Sequence, residues 1–192
     1  MAAGAASVRS LEDFDRAVRT IAYHFGTDTV FVIGSQAILA SWPEAPERLR
    51  ISREIDAYPA NTREWSARHG IEASEEINAL FGYGSSFDNT FGFYVDGVDE
   101  LTAVLPVDWQ SRAVHRRVPV DKGRAATAVA PAIEDLVVAK LARLDEKDRR
   151  FVETLHAARP LDVASIKALV PKAPIEPAAI ERIRAFLDRL AT

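Results

Sequence analysis

Two acids two residues apart, Glu54 and Asp56, form the most suggestive chemical pair in the chain. They flank Ile55, and the run Glu54 to Tyr58, closed by Pro59, reads as a short strand. Residues two apart on a strand project to one face, so the two carboxylates would lie side by side. Like charges so placed repel, and the pair costs stability unless a cation sits between them. Divalent ions held by such acids can activate a hydroxyl and stabilise a departing pyrophosphate. The plainer reading is a solvent-facing strand edge, and spacing alone leaves both open.

Gly34-Ser35 is the second candidate. It follows Thr29 to Ile33, a β-branched, almost wholly apolar run suited to a strand buried on both faces. A glycine there lets a backbone approach something closely. A helix read from Gln36 to Ala40 would add free N–H groups and a positive dipole end, which suit phosphate. The same strand, small-residue turn and helix also arise for packing alone. Lys140 is the third candidate. Ile133, Leu136, Val137, Leu141 and Leu144 form an apolar helical stripe, and Lys140 falls inside it, roughly 40° from its centre at about 100° per residue. A charge on an apolar face is paired, functional or snorkelling. A structural ion pair, with an acid such as Glu54 or Asp56 across the core, and a phosphate contact stand level for Lys140. Continued without a break, the helix sets Lys147 and Asp148 beside the stripe.

The elements that position these residues follow from patterning. Ser10 to Phe25 reads as a helix capped by Ser10 and stopped by Gly26. Helices are expected over Thr62 to Ala67 and Ala73 to Phe81, and Gly82 to Ser86 as a flexible loop. Strands are expected at Phe91 to Val95, Leu101 to Leu105, Ala113 to Val120 and Ala126 to Ala130, with Gly97 and Asp121-Lys122-Gly123 as turns. From Pro131 the pattern is helical: one long stretch to about Leu155, then Asp162 to Leu169 and Pro177 to Leu190. The fold class is therefore α/β (α+β), a mixed sheet flanked by helices with a helical C-terminal part. Residues 1–8 read as a flexible terminus, 9–130 as the α/β core and 131–192 as the helical part, expected to pack on the chain's own core.

Composition excludes several classes. The 192 residues include no cysteine, so disulfides and thiolate metal sites are excluded. His24, His69, His115 and His156 are scattered without ligand spacing, which argues against zinc. No apolar run is long enough to span a bilayer, and the first residues do not read as a signal peptide, so a cytoplasmic protein is expected. A formal net charge of −4 argues against a general nucleic-acid binder. Two arginine-rich stretches, Arg48, Arg50 and Arg53, and Arg112, Arg116, Arg117, Lys122 and Arg124, read first as solvated surface.

Taken together, Gly34-Ser35 after a buried strand and Ser52-Arg53-Glu54-Ile55-Asp56 after a loop resemble the nucleotidyltransferase signature. There, Gly-Gly or Gly-Ser precedes a Ser/Thr-x-Asp-x-Asp strand. Glu134 to Arg143, followed by Glu146-Lys147-Asp148, resembles the helix of abortive-infection (AbiEii-type) nucleotidyltransferases and their small bacterial relatives. Leu105-Pro106-Val107-Asp108-Trp109-Gln110-Ser111-Arg112 is similar to a Leu-Pro-x-x-Trp-x-x-Arg segment of those relatives. The resemblance implies transfer of a nucleotide from an NTP with Mg²⁺ as cofactor. It implies that Gly34, Ser35, Ser52, Lys140 and Lys147 bind the nucleotide, that Glu54 and Asp56 hold the metal, and that Lys140 and Asp148 complete the catalytic set. It also implies candidate partners: an RNA or protein acceptor, and a cognate antitoxin if the chain is of the toxin type.

Two departures from the pattern define the alternative. Glu54 stands where the family usually has Asp, and its extra methylene moves the carboxylate by roughly an ångström. A third acid is expected on the following strand, yet Leu101 to Leu105 carries none; Asp96 or Asp99, just before it, could substitute, although acids beside Gly97 are more often simple turn formers. The alternative is thus a catalytically degraded nucleotidyltransferase fold that binds a nucleotide or a protein. Lys140, Lys147 and Asp148 favour the enzyme; the missing acid favours the binding module.

Overall fold

A computed structural model describes residues 7–191 and divides the chain into two compact units. One unit takes the chain up to Thr102 together with Val114–Ala130; the other takes Ala103–Ala113 and the chain from Pro131 on. The expected flexible segment 1–8 lies outside the described residues except for its last two. Those two form strand β1 (Ser7–Val8).

The first unit begins with that strand and helix α1 (Leu11–Phe25). Ser10 and Asp13 cap α1 reciprocally: Asp13 N–H donates to Ser10 Oγ at 3.1 Å, and Ser10 N–H to Asp13 Oδ2 at 2.9 Å. Phe14, Ala17, Val18, Ile21, Ala22 and Phe25 form the buried stripe. Strand β2 (Thr29–Ile33) follows, with Val30, Val32 and Ile33 buried and Phe31 stacked on Tyr58. A 3-10 turn (Ser35–Ala37) and two single-turn helices, α2 (Ile38–Ser41) and α3 (Glu47–Arg50), lead to β3 (Ile51–Ser52) and β4 (Glu54–Pro59). Helices α4 (Thr62–His69), α5 (Ala73–Phe81) and α6 (Ser86–Phe91) precede β5 (Tyr94–Gly97). A hairpin of β6 (Val114–Asp121) and β7 (Arg124–Ala130) completes the unit.

Five strands form a mixed sheet in the order β5-β4-β2-β7-β6; β1 and β3 pair separately. The pairing β2–β4 is antiparallel, while β2–β7 and β4–β5 are parallel. Helix α1 packs its apolar stripe on this sheet, touching β2, β4, β6 and β7. Helix α5 lies against β5, close enough that a Cβ on Gly97 would stand 2.2 Å from the Ser74 carbonyl oxygen. Gly97 is therefore a packing requirement inside a strand, not the turn former that the sequence suggests.

The second unit holds α7 (Ile133–Arg143), α8 (Glu146–Ala158), α9 (Val163–Leu169) and α10 (Pro177–Leu190). Helix α7 packs against α8, α9 and α10. The expected unbroken helix from Pro131 to Leu155 is two helices. Leu144 adopts φ 53°, and Asp145 caps α8 by accepting the Asp148 N–H at 2.8 Å. An acid at the N-cap with another three residues on is a start signal that the apolar periodicity conceals. The segment 103–113 belongs to this unit and carries a 3-10 turn (Trp109–Arg112), with Val107 N–H donating to the Lys172 carbonyl at 3.0 Å. No strand forms over Leu101 to Leu105. No helix among the described residues is long and apolar enough to cross a membrane.

Candidate active site

Strand β4 alternates as its sequence requires: Ile55 and Ala57 are fully buried, while Glu54 and Asp56 project together from the other face, each half-buried. The antiparallel neighbour β2 sets Ile33 opposite Asp56, so the chain leaves β2 at Gly34 directly beside that carboxylate. Gly34 adopts φ 70° and ψ −166°, a region open essentially only to glycine. A Cβ there would lie 1.9 Å from Asp56 Oδ2 and 2.7 Å from its Cγ. The close approach expected of Gly34 is thus made to the second acid of the pair. Ser35 opens the 3-10 turn, in which Ala37 N–H donates to the Gly34 carbonyl at 3.3 Å. The expected helix over Gln36 to Ala40 is this turn followed by α2. Ser52 Oγ accepts the Glu54 N–H at 3.1 Å and so fixes the entry to β4.

The parallel neighbour β5 brings a tyrosine and an acid to the same face. Its register sets Tyr94 beside Glu54 and Asp96 beside Asp56. Tyr94 Oη donates to Glu54 Oε2 at 2.6 Å. Burial pushes the Tyr94 hydroxyl above its ordinary range, and the hydrogen bond and charge of Glu54 add to that. The Asp96 carboxyl is likewise raised, first by burial and then by the charge of Glu54. Three carboxylates, Glu54, Asp56 and Asp96, therefore occupy one face across two paired strands. Asp96, one of the two acids that could substitute for a third, lies on β5, and the Leu101 to Leu105 segment forms no strand.

These donors suit Mg²⁺ in kind. Mg²⁺ takes hard oxygen ligands and is held by one or two carboxylates together with water and substrate phosphates, seldom by a closed protein cage. Among the described residues no three His, Cys, Asp or Glu side chains converge on one metal position. Asp56 and Asp96 stand in register, and the charge of Glu54 adds to burial in raising the Asp96 carboxyl; such half-buried acids are donors of the kind an open site would use.

Beside this face, Arg53 bonds both oxygens of the buried Asp88, at 3.0 and 3.1 Å. Its guanidinium lies over the rings of Tyr83 and Tyr94, 5.0 and 5.9 Å from their centroids. Gln36, in the turn after Gly34, is 1% exposed, and neither its Oε1 nor its Nε2 has a hydrogen-bond partner.

The remaining sequence candidates lie in the second unit. Lys140 Nζ meets Asp148 Oδ1 at 3.0 Å, both side chains being buried, so the acid it meets there is Asp148 of the next helix, where the expectation named Glu54 or Asp56. Arg143 Nε bonds the other oxygen, Asp148 Oδ2, at 2.9 Å. Lys140 also lies 5.3 Å from the Phe151 ring centroid. Lys147 is exposed on α8. Arg112 grips the fully buried Asp135 at 2.6 and 3.1 Å and bonds Asp108 at 2.9 Å. Those contacts raise the Arg112 pKa and hold the Asp108 carboxyl well below the usual carboxylate range. The two arginine-rich stretches likewise resolve in large part into specific bonds. Arg116 pairs with Asp15 at 2.7 Å, and Arg50 donates to the Ala45 and Arg9 carbonyls at 2.6 and 3.0 Å.

A family described as nucleotidyltransferase of unknown function (DUF6036) matches residues 9–184. The chain belongs to that family. No curated protein and no solved structure matches it. In this nucleotidyltransferase-family chain the residues around the acids that sequence reasoning misses are Tyr94, Tyr83 and Asp88, and Asp96 is reached only as a substitute acid ranked behind its reading as a turn former. Tyr94-Val95-Asp96 repeats the two-residue spacing of Glu54-Ile55-Asp56, and that repetition was the available signal.

Proposed function

We propose that the chain is a Mg²⁺-dependent nucleotidyltransferase that moves a nucleotide from an NTP to an acceptor. One observation carries the reading: Asp96 stands in register beside Asp56, across from Gly34, whose backbone leaves room for the Asp56 carboxylate and for no side chain. One or two of Glu54, Asp56 and Asp96 would bind the cation directly, with water and substrate phosphates completing its shell. When bound, it would neutralise phosphate charge and lower the pKa of an acceptor hydroxyl. The chain's own residues do the rest. Tyr94 holds the Glu54 carboxylate by donating to one of its oxygens. Ser52 fixes the start of β4, and Gly34-Ser35 offers backbone close to the acids for phosphate to approach.

The finer proposal follows the resemblance to abortive-infection relatives: a toxin-type enzyme with an RNA or protein acceptor and a cognate antitoxin. Its two most telling motifs are joined by the Arg112–Asp135 ion pair, so they speak to how the helical unit is built more than to its chemistry. A degraded, binding-only protein is the second reading, favoured by the longer Glu54 and by the use of one of its oxygens to hold Tyr94.

The test is thermal stability with each NTP, with and without Mg²⁺. Ligand at a hundredfold excess over Kd raises Tm by about 5 °C or more for a chain of this size. A Mg²⁺-dependent rise in the wild type that Asp56→Asn abolishes, followed by nucleotide transfer with that NTP, supports the enzyme. A rise without transfer supports the binding module. No rise with any NTP overturns the enzyme and the nucleotide-binding module, and makes the protein-binding form of the second reading the leading one.

A further inference from the structure

We propose that Tyr83 is the base-stacking platform of the donor nucleotide. The inference rests on the nucleotidyltransferase reading and extends it to a subsite that the signature motifs do not contain. Tyr83 is 64% exposed, a large exposure for an aromatic residue, and it lies in the tight Gly82-Tyr83-Gly84 turn ahead of α6. The ring is nevertheless fixed. The Arg53 guanidinium covers it at 5.0 Å, and the Tyr94 ring meets it edge-on, with centroids 5.8 Å apart and planes at 78°. Both neighbours are themselves held. Arg53 is bonded to both oxygens of Asp88, which is 5% exposed, and Asp88 Oδ2 also accepts the Gly84 N–H at 2.9 Å. Tyr94 is held by its hydrogen bond to Glu54.

A buried carboxylate thus ties down the loop and the arginine together and presents an aromatic ring, largely open to solvent, one side chain away from the Tyr94–Glu54 pair. Rigid exposed aromatics beside a cation bind flat π-systems, because the ring loses little freedom on binding and stacking needs no particular hydrogen-bonding edge. The flat group that a nucleotidyltransferase must hold near its acids is a nucleobase. Stacking strength grows with the size of the π-face, so purine nucleotides would bind more tightly than pyrimidine nucleotides.

The test measures equilibrium binding, in Mg²⁺, of ATP, GTP, CTP, UTP and inorganic tripolyphosphate to the wild type, Tyr83→Ala, Tyr83→Phe and Tyr83→Trp. The expected result is that Tyr83→Ala weakens the preferred NTP roughly tenfold or more and leaves tripolyphosphate unchanged, while Phe and Trp keep wild-type affinity. Equal weakening of NTP and tripolyphosphate would make Tyr83 a structural residue and overturn the proposal. Unchanged NTP binding by Tyr83→Ala overturns it too, and if that variant then loses affinity for a single-stranded oligonucleotide, the platform serves the acceptor. If the wild type binds neither NTP nor tripolyphosphate, the nucleotidyltransferase reading fails and this one with it.

Discussion

Two regions of the molecule gather acids, and they treat them in opposite ways. In the helical unit each buried carboxylate meets cations with good geometry. Asp148 bonds Lys140 and Arg143, and Asp135 bonds Arg112 through both oxygens. In the sheet unit Glu54, Asp56 and Asp96 crowd one face, Glu54 is held by a phenol, and the Asp96 carboxyl is raised by burial and by its neighbour's charge. Matched charge buried out of water is a structural clasp. Like charge gathered at half-burial is a local conflict, and such conflicts concentrate at functional sites. The contrast separates residues that one set of sequence motifs had grouped together.

The clasp gives the largest expected effect. Lys140→Met removes one partner of a buried carboxylate and leaves Arg143, whose side chain is 59% exposed, to hold it. The loss is about 3 kcal/mol, or roughly 6–12 °C in Tm. Were Lys140 a phosphate ligand, a Met in the apolar stripe would be neutral or stabilising; the buried pair with Asp148 reverses the sign. Replacing both partners by apolar residues of similar volume should recover much of the loss. An unchanged Tm for the single variant would remove Lys140 from the structural side of the comparison. Next in size is Gly34→Ala, on the other side. The backbone there is glycine-only, so alanine costs roughly 1–3 kcal/mol. Its Cβ also needs the space of the Asp56 carboxylate. The variant should therefore lose Mg²⁺-dependent NTP stabilisation even at temperatures where it is fully folded. A folded Gly34→Ala protein with normal NTP response would separate the turn from the acids.

Much of this was legible in the sequence because it is local. The buried β2, the capped α1, the Gly34-Ser35 turn and the shared face of Glu54 and Asp56 all follow from periodicity, capping and spacing within a few residues. What was not legible depends on register. Asp96 could be named as a substitute acid but not chosen over a turn role beside Gly97, and only the pairing of β5 with β4 makes it a neighbour of Asp56. Gly97 itself looked like a breaker, and only the approach of α5 shows that the missing Cβ is a packing need. Lys140 could be recognised as anomalous but not assigned. Its partner lies eight residues on, beyond a break that apolar spacing runs straight through. The Leu-Pro-x-x-Trp-x-x-Arg segment and the helix motif carried weight as two separate signals, and the Arg112–Asp135 pair shows them to be two ends of one contact.

The smallest expected effect is also the most direct test of the conflict on the sheet face. The Asp96 carboxyl has a folded pKa above its unfolded value. Between those two values the native state binds more protons than the unfolded chain, so stability falls as pH rises through that window. Above the window Asp96 is ionised in both states and its charge is a standing cost to the fold. Asp96→Asn keeps the shape and removes the charge. It should raise stability at neutral pH by less than about 1 kcal/mol, because solvent screens a half-exposed group. It should also flatten the pH dependence of Tm just above the ordinary carboxylate range. The same variant should lose affinity for Mg²⁺ with NTP, since a charge that burdens the empty face would be a ligand to the cation. Stabilisation together with lost binding places Asp96 with Glu54 and Asp56 as a functional acid. Destabilisation at neutral pH would instead mean that its ionised form makes contacts the fold depends on, and the sheet face would then join the helical unit as a structural clasp.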